Sequence, residues 1–458
     1  MDSDRYRCSA GARAVLRRLP APRGHPVRRV LVLGAGVSGL AAGRLAARQG
    51  MSATLYDREP SPEAFASGLG LASGPWDHLL LNGVDLVVAS PGFAERSLPV
   101  VESIEAGVPI WSEIEFASTF TDTPMLAITG TNGKTTVTEA TSMMLSKAGL
   151  DAPATGNIGE PLSDHVEEPH DVLVVETSSF QLRFVEKFHP IAAAVTNVAV
   201  DHLDWHGSAM AYAEAKKNIY KNQTADDLIV YDADDEGASD LVSDAPSERF
   251  PVSGRRLPEG GGGVDGGSLV VGGLKIDLTK LEPADPVHLT NLAMAATLAI
   301  WMGADPDAVT EAAVAFRPGA HRRQLVLEAD GVRWVDDSKA TNPHAALASI
   351  RSHDSVILIA GGLAKGTDVR PLANEPNVSL VLGIGEAGPD LVEEAGDIGV
   401  LAETLENAVR IAGARAVPGT TVLLAPGCAS FDQFQSYGDR GDRFQQLVKN
   451  LNMEETVK

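Results

Sequence analysis

Gly130-Thr131-Asn132-Gly133-Lys134-Thr135-Thr136 stands between a strand-like run, Pro124 to Thr129, and a segment from Val137 onward whose apolar residues recur at helical spacing. A glycine-rich turn that ends in Lys-Thr at a helix start aims backbone N–H groups and the helix N-terminus at one point, so it holds phosphates with few side chains. On this reading Lys134 carries the point charge on the β- and γ-phosphates of a nucleoside triphosphate, and the Thr135 hydroxyl ligates Mg²⁺. The general pattern G-x-x-x-x-G-K-[ST] asks for glycine at position 128; this chain has Ile128 and begins at Gly130, a shortened variant. Val137, Ala140, Thr141, Met144, Leu145 and Ala148, closed by Gly149, supply the helix that the turn requires.

Upstream, the strand-like Val30 to Leu33 leads into Gly34-Ala35-Gly36-Val37-Ser38-Gly39, then a helix over Leu40 to Gln49 and a strand Ala53 to Tyr56 ending at Asp57. This is a G-x-G-x-x-G turn with an acid 23 residues after its first glycine. Further strands are expected at Leu86 to Ala89, ending in Ser90-Pro91-Gly92, and at Val108 to Trp111. Alone, this start would suit a nicotinamide or flavin enzyme. The chain then offers a triphosphate loop in place of a substrate domain for hydride transfer. Two nucleotides with different jobs are therefore expected, one held as a handle and one spent as fuel.

Downstream, the strand Val172 to Val175 delivers Glu176-Thr177-Ser178-Ser179-Phe180-Gln181, and the strand Ala192 to Thr196 delivers Asn197-Val198-Ala199-Val200-Asp201-His202-Leu203-Asp204. In a parallel sheet both groups reach the same carboxyl edge as the phosphate loop. Oxygen ligands from Thr135 and Glu176, joined by His202, suit one or two Mg²⁺ ions bridging the phosphates. A lone His202 would more often be a structural histidine; its company makes it a metal candidate. Leu228 to Tyr231 reads as another strand, Arg255 to Gly273 as surface loops or a short hairpin, and Leu289 to Met302 as a buried helix. From His321 a third pattern begins, with buried strands at Gly331 to Asp337, Ser355 to Ala360, Leu380 to Ile384 and Thr421 to Ala425. The expected architecture is α/β, three domains in series: a Rossmann-like domain at 29–122, a P-loop domain with a parallel-rich sheet at 123–318, and a Rossmann-like domain at 319–458.

Composition agrees with this. The chain has 458 residues, 44% hydrophobic and 22% charged, too long for one core and without an apolar run that would cross a membrane. A net charge of −23 argues against a nucleic-acid binder, which needs basic stripes. Two cysteines, Cys8 and Cys428, make a disulfide framework implausible and a reducing cytoplasm the expected location. Residues 1–28 carry seven arginines but no apolar core of a secretion signal; a flexible extension, or a start codon set too early, is expected.

In order along the chain, Gly130 to Thr136, Glu176 to Gln181, Asp201 to Asp204, His321-Arg322 and Asp337-Ser338-Lys339-Ala340-Thr341-Asn342 resemble the Mur ligase family, over about residues 29 to 450. These are ATP-dependent amide-forming enzymes of peptidoglycan precursor synthesis. The resemblance implies that Gly34, Gly36, Ser38, Gly39, Asp57 and Arg58, with Ser90 and Gly92, bind the uridine diphosphate of the acceptor, and that Asn157 contacts its muramoyl-alanine arm. It implies catalytic roles for Lys134, Glu176, His202 and Lys216. Mg²⁺ would be held by Thr135, Glu176, His202 and Lys216, the last as a carbamate formed with CO₂; Lys217 is its neighbour and competitor. The ATP site would be completed by Asn291, Arg322, Asp337 and Lys339. Thr341, Lys365, Ser430 and Tyr437 would bind D-glutamate, and the acceptor would be UDP-N-acetylmuramoyl-L-alanine. Two positions depart from the family pattern: His288 replaces the first residue of a frequent Asn-x-x-Asn pair, and Tyr437 stands where Phe is frequent. A monomer is expected. The rival readings are a family member with another amino acid, a folylpolyglutamate synthase, a dinucleotide-dependent oxidoreductase and a P-loop regulatory ATPase; Gly34 to Asp57 argues against the folate ligase.

Overall fold

A computed structural model describes residues 27–456, so residues 1–26 of the expected extension, with Cys8, lie outside the described residues. Three sheets succeed one another along the chain. The first holds β1 (Arg29–Leu33), β2 (Ser52–Asp57), β3 (Gly70–Ser73), β4 (Leu86–Ala89) and β5 (Ile110–Ser112), all parallel, in the order β3-β2-β1-β4-β5. The glycine turn leaves β1, and Ser90 to Gly92 leave β4, the strand beside it. Their carboxyl ends meet where the strand order reverses, the place where open α/β sheets bind ligands.

The second sheet comprises β6 (Met125–Thr129), β7 (Ala154–Gly156), β8 (Leu173–Glu176), β9 (Ala192–Val195), β10 (Leu228–Asp232), β11 (Glu248–Ser253), β12 (Gly262–Asp265), β13 (Ser268–Val271) and β14 (Leu274–Asp277), in the order β14-β13-β12-β11-β10-β9-β6-β8-β7. Parallel pairing runs from β7 to β12, and β12, β13 and β14 pair antiparallel. Within the Gly-rich stretch, expected as surface loops or a short hairpin, β12 and β13 form a hairpin, and β12 also extends the parallel sheet beside β11. β6, whose end is the phosphate loop, is flanked by β8, which ends at Glu176, and β9, which feeds Asn197 to Asp204. Strand alternation splits β6 between two cores: Leu126 and Ile128 join one, Met125 and Ala127 the other.

That second core also contains Val30, Val32, Leu86 and Val88 of the first sheet, so these two sheets share buried apolar surface. The chain accordingly divides into two compact units, one ending at Phe316 and one beginning at Arg317. On the opposite face of the second sheet lies the helix Pro286–Trp301, in which every residue from His288 to Ala299 is buried. It packs at once against the sheet and against the helices Lys134–Lys147 and Pro306–Ala315, which explains its apolar character all round.

The unit from Arg317 contains β15 (Gln324–Ala329), β16 (Val332–Asp336), β17 (Val356–Gly361), β18 (Val378–Ile384), β19 (Gly399–Glu403) and β20 (Thr421–Leu424), in the order β15-β16-β20-β17-β18-β19. Of these six, β15 alone is antiparallel. Apolar side chains cover both faces, with Leu358 and Leu423 in one core and Ile357 and Val422 in the other.

Candidate active site

The phosphate loop begins at Gly130 with φ of 147°, and Gly133 at 86° caps the helix Lys134–Lys147. Both are conformations that side chains resist. The helix buries Val137, Ala140, Thr141, Met144 and Leu145, and Gly149 ends it at φ 88°. The loop is fastened to the segment after β9: Asn132 N donates to Asn197 Oδ1 at 2.9 Å, Thr131 N donates to Asn197 O at 2.9 Å, and Ala199 N donates to Thr131 Oγ1 at 3.0 Å. Asn291 reaches the loop from the buried helix, and a Cβ at Gly133 would lie 3.0 Å from its Oδ1.

Two lysines converge on one carbonyl. Lys134 Nζ donates to Gly130 O at 3.0 Å and to Thr131 O at 2.9 Å, while Lys216 Nζ donates to the same Gly130 O at 2.7 Å. Lys216 is 1% exposed and its ammonium lies 4.6 Å from the Tyr212 ring centroid. Burial first, and the Lys134 charge second, hold its pKa well below the usual lysine range. Lys217, one residue on, is instead ion-paired at the surface with Asp244 Oδ2 at 2.6 Å. Register on the helix Ala209–Lys217 decides this, because Tyr212, Ala215 and Lys216 share its buried side.

Glu176 ends β8, 2% exposed. Its Oε1 accepts from Asn157 Nδ2 at 2.8 Å, and its Oε2 makes no hydrogen bond within the described residues. A buried carboxylate oxygen without a donor, next to a phosphate loop, fits a hard divalent cation. Among the described residues no three His, Cys, Asp or Glu side chains converge on one point, so phosphate oxygens and the Thr135 hydroxyl would have to complete such a ligand set. After Glu176, Ser178 and Gln181 close a capping box, with Ser178 N donating to Gln181 Oε1 at 2.9 Å. That fixes Phe180, whose ring lies 4.8 Å from the imidazole of His202. His202 adopts φ of 51° and is half-exposed, with Nε2 3.8 Å from Asp201 Oδ2. His206 sits on the same aromatic cluster; burial, then His202, push its pKa down to about 4, and Nε2 lies 2.9 Å from Ser179 Oγ.

In the first sheet, Ala35 N donates to Asp57 Oδ2 at 2.9 Å, tying the acid to the glycine turn. A Cβ at Gly34 would meet Ser90 Oγ at 2.7 Å, and one at Gly39 would overlap Gly34 O at 2.0 Å, so these glycines let β1, β4 and the helix Val37–Arg48 close up. Ser38 is half-buried; Gly36, Arg58 and Gly92 are exposed.

In the unit from Arg317, the expected residues come after three neighbouring strands: Asp337, Lys339 and Thr341 after β16, Lys365 after β17, Ser430 and Tyr437 after β20. Lys339 Nζ lies 3.8 Å from the Tyr437 ring centroid and Lys365 Nζ 5.3 Å from that of Phe431. Asp337 Oδ1 accepts from Arg323 N at 3.2 Å, and burial raises its carboxyl to about 6 against the pull of Arg323. The arginine facing Asp337 is thus Arg323, while Arg322 is half-buried beside Gly319. Sequence reasoning also passed over Arg440. It is 1% exposed and donates to Ser338 Oγ and O at 3.0 Å and to Cys428 O at 3.1 Å, binding the loop after β16 to the loop after β20. Nothing in its local sequence marks it. Tyr212, whose hydroxyl is 3.0 Å from Thr131 Oγ1, had a signal in its place four residues before Lys216.

Family models cover each part of the chain: a Mur ligase MurD-like N-terminal domain matches residues 28–112, the Mur ligase middle domain 128–253, and the Mur ligase glutamate ligase domain 321–428. A relative from Frankia casuarinae, named UDP-N-acetylmuramoylalanine--D-glutamate ligase, is 42% identical across 92% of this chain and 93% of its own length. One of the same name from Pelotomaculum thermopropionicum is 36% identical across 93% and 98%. Among solved structures, MurF from Acinetobacter baumannii superposes with a TM-score of 0.58 at 15% identity over 93% of this chain and 94% of its own. UDP-N-acetylmuramate-alanine ligase MurC from Thermotoga maritima gives 0.54 at 19% over 94% and 100%; both likenesses concern the fold. With near-complete coverage at these identities, and three domain models in the family's order, the chain belongs to the Mur ligase family.

Proposed function

We propose that this chain joins D-glutamate to UDP-N-acetylmuramoyl-L-alanine, with ATP activating the acceptor's terminal carboxylate. The observation that carries the reading is the buried Glu176 carboxylate with one undonated oxygen, on the strand beside a phosphate loop where two lysines meet. The relatives' shared name supports the choice of amino acid and acceptor.

In the proposed reaction an acceptor carboxylate oxygen attacks the γ-phosphorus of ATP, the bond to ADP breaks, and an acyl phosphate forms. The amine of D-glutamate adds to the acyl carbon, loses a proton, and phosphate departs, leaving an amide. Lys134 neutralises charge developing on the transferring oxygens, from within hydrogen-bond reach of the loop that holds them. Mg²⁺ would be held by Thr135, Glu176, His202 and, as a carbamate, Lys216, and would supply charge neutralisation at the phosphates. Asn157 holds Glu176 Oε1, so the free oxygen keeps one orientation. Lys216 is suited to carbamate formation because burial favours its neutral amine, whose lone pair adds to CO₂ with release of one proton. Asn291, Arg322, Asp337 and Lys339 are assigned to ATP. Gly34, Gly36, Ser38, Gly39, Asp57, Arg58, Ser90 and Gly92 are assigned to the uridine diphosphate, with Asn157 on the arm. Thr341, Lys365, Ser430 and Tyr437 are assigned to D-glutamate, whose two carboxylates call for a cation and hydroxyl donors.

The test supplies UDP-N-acetylmuramoyl-L-alanine, ATP and Mg²⁺ with a panel of D- and L-amino acids, and measures phosphate release and product mass. Release and a matching amide with D-glutamate are expected. Product with another amino acid instead would move the chain elsewhere within the family.

A further inference from the structure

Behind the phosphate-transfer site, the second sheet grips the first. Trp205, on the short helix Leu203–His206 after β9, donates its indole Nε1–H to Pro91 O at 3.1 Å. Pro91 lies between Ser90 and Gly92, two residues assigned to the acceptor's diphosphate. The indole is held on its other side by Phe180, 4.8 Å between ring centroids, in the capped turn after Glu176. A second link runs in parallel: Arg183, at the end of that turn's helix, pairs with Glu95 through Nε and Oε2 at 2.8 Å and through a second close contact, Nη2 to Oε1. Beside them, a Cβ on Gly207 would lie 3.8 Å from Arg96 Nη1.

We infer that Trp205 is a positioning residue: with the Arg183–Glu95 pair it forms a clasp that sets the span between the acceptor-holding loop 90–96 and the phosphate loop. The inference rests on the proposed ligase function. An acceptor fixed by its nucleotide end must present a carboxylate at the far end to the γ-phosphate, and an error of about 1 Å in such an approach costs up to about a hundredfold in rate. None of Trp205, Arg183 and Glu95 is among the residues assigned to either nucleotide. Its loss should therefore spare binding of each ligand and spoil their alignment. The indole N–H bond supplies a direction as well as attachment, which a ring without a donor does not.

The experiment compares wild type, Trp205→Phe, Glu95→Gln and the double variant. Trp205→Phe keeps an aromatic ring against Phe180 but removes the N–H donor together with part of the indole's volume. The expected result is a kcat lower by about 5- to 30-fold in Trp205→Phe, and lower again in the double variant. ATP consumed per amide formed should rise, while the Kd for UDP, measured calorimetrically, and the KM for ATP stay within about twofold. Thermal melts identify any variant that fails to fold, and Glu95→Gln alone tests the second arm of the clasp. A kcat within twofold of wild type in both single variants overturns the inference. So does a fall in kcat matched by equal losses in UDP and ATP affinity, which is general loosening. A wild-type protein that makes no amide with D-glutamate overturns the functional reading and the clasp with it; an active wild type with indifferent variants overturns the clasp alone.

Discussion

The turns Gly34–Gly39 and Gly130–Thr136 have the same ancestry in physics, a parallel strand, a glycine turn and a helix N-terminus, yet they face different side chains. At the first, the end of β2 brings Asp57, whose carboxylate already takes the N–H of Ala35. At the second, the helix Ala209–Lys217 brings Lys216 to join Lys134 at Gly130 O, and β8 brings Glu176. Backbone donors alone favour an anion at either turn. An added carboxylate shifts the first toward hydroxyl and amide partners, and the Lys134 ammonium with a metal-type oxygen shifts the second toward a triphosphate. What differs is contributed by elements distant in sequence, so a glycine pattern read alone gives phosphate affinity without chemistry.

The contrast breaks most sharply at Lys134. Lys134→Ala should lower kcat by about 100- to 1,000-fold, on the order of 3–4 kcal/mol of transition-state stabilisation, with circular dichroism unchanged. Retained phosphate release would remove the second turn's claim to fuel chemistry. Lys216→Ala should cost about 10- to 100-fold, as loss of a group that helps hold the metal does, and acetate or formate should restore part of it. Absence of any response to these acids or to bicarbonate would argue against a carbamate.

Backbone form offers a matched pair. Gly130→Ala places a Cβ 1.8 Å from Thr196 Oγ1 at φ of 147°, whereas a Cβ at Gly36 meets nothing within 4 Å. The first should destabilise by about 2–3 kcal/mol and the second by less than about 0.5 kcal/mol, read as denaturant midpoints. Equal midpoints would mean that the loop relaxes without cost.

The joint between the two turns' sheets carries a pH signature. Glu113 is 1% exposed, with Oε1 accepting from Ser163 N at 2.6 Å and Oε2 without a hydrogen bond among the described residues. Burial raises its carboxyl from 4.5 to about 7. Because the folded state binds the proton more tightly than the unfolded chain, this contribution is complete below pH 4.5 and is lost as pH rises through about 7. Glu113→Gln should therefore flatten the stability profile between about pH 5 and 8 by about 2–3 kcal/mol, measured by urea titration. The smallest effect belongs to Lys217→Ala. Its pair with Asp244 is exposed and screened by water, so the denaturant midpoint should hardly move and activity should stay within about twofold.

Local sequence sufficed where the physics is local. The phosphate loop, its helix and stop at Gly149, the first βαβ unit with Asp57, and the strands delivering Glu176 and the Asn197 to Asp204 run were legible from glycines and apolar periodicity. Short edge elements such as β3 and β7 were not, since three or four residues of mixed polarity are strands only because a neighbour offers hydrogen bonds, and in Arg255 to Gly273 a hairpin was legible but the pairing of β12 with β11 was not. Arg323, whose N–H meets Asp337, was not singled out for a similar reason: it sits at φ of 49°, a turn that local pattern does not announce.

The sequence by itself determined that a strand must run into a phosphate-binding turn at Gly130 and that three α/β segments succeed one another, because each rests on spacing within some twenty residues. Tertiary structure alone decided that Lys216 is buried at Gly130 O while Lys217 stays in water, that Glu176 keeps one oxygen undonated, and that Trp205 reaches Pro91 across two sheets. Those facts depend on desolvation and on distances between residues tens of positions apart, and such quantities exist only once the chain has closed on itself.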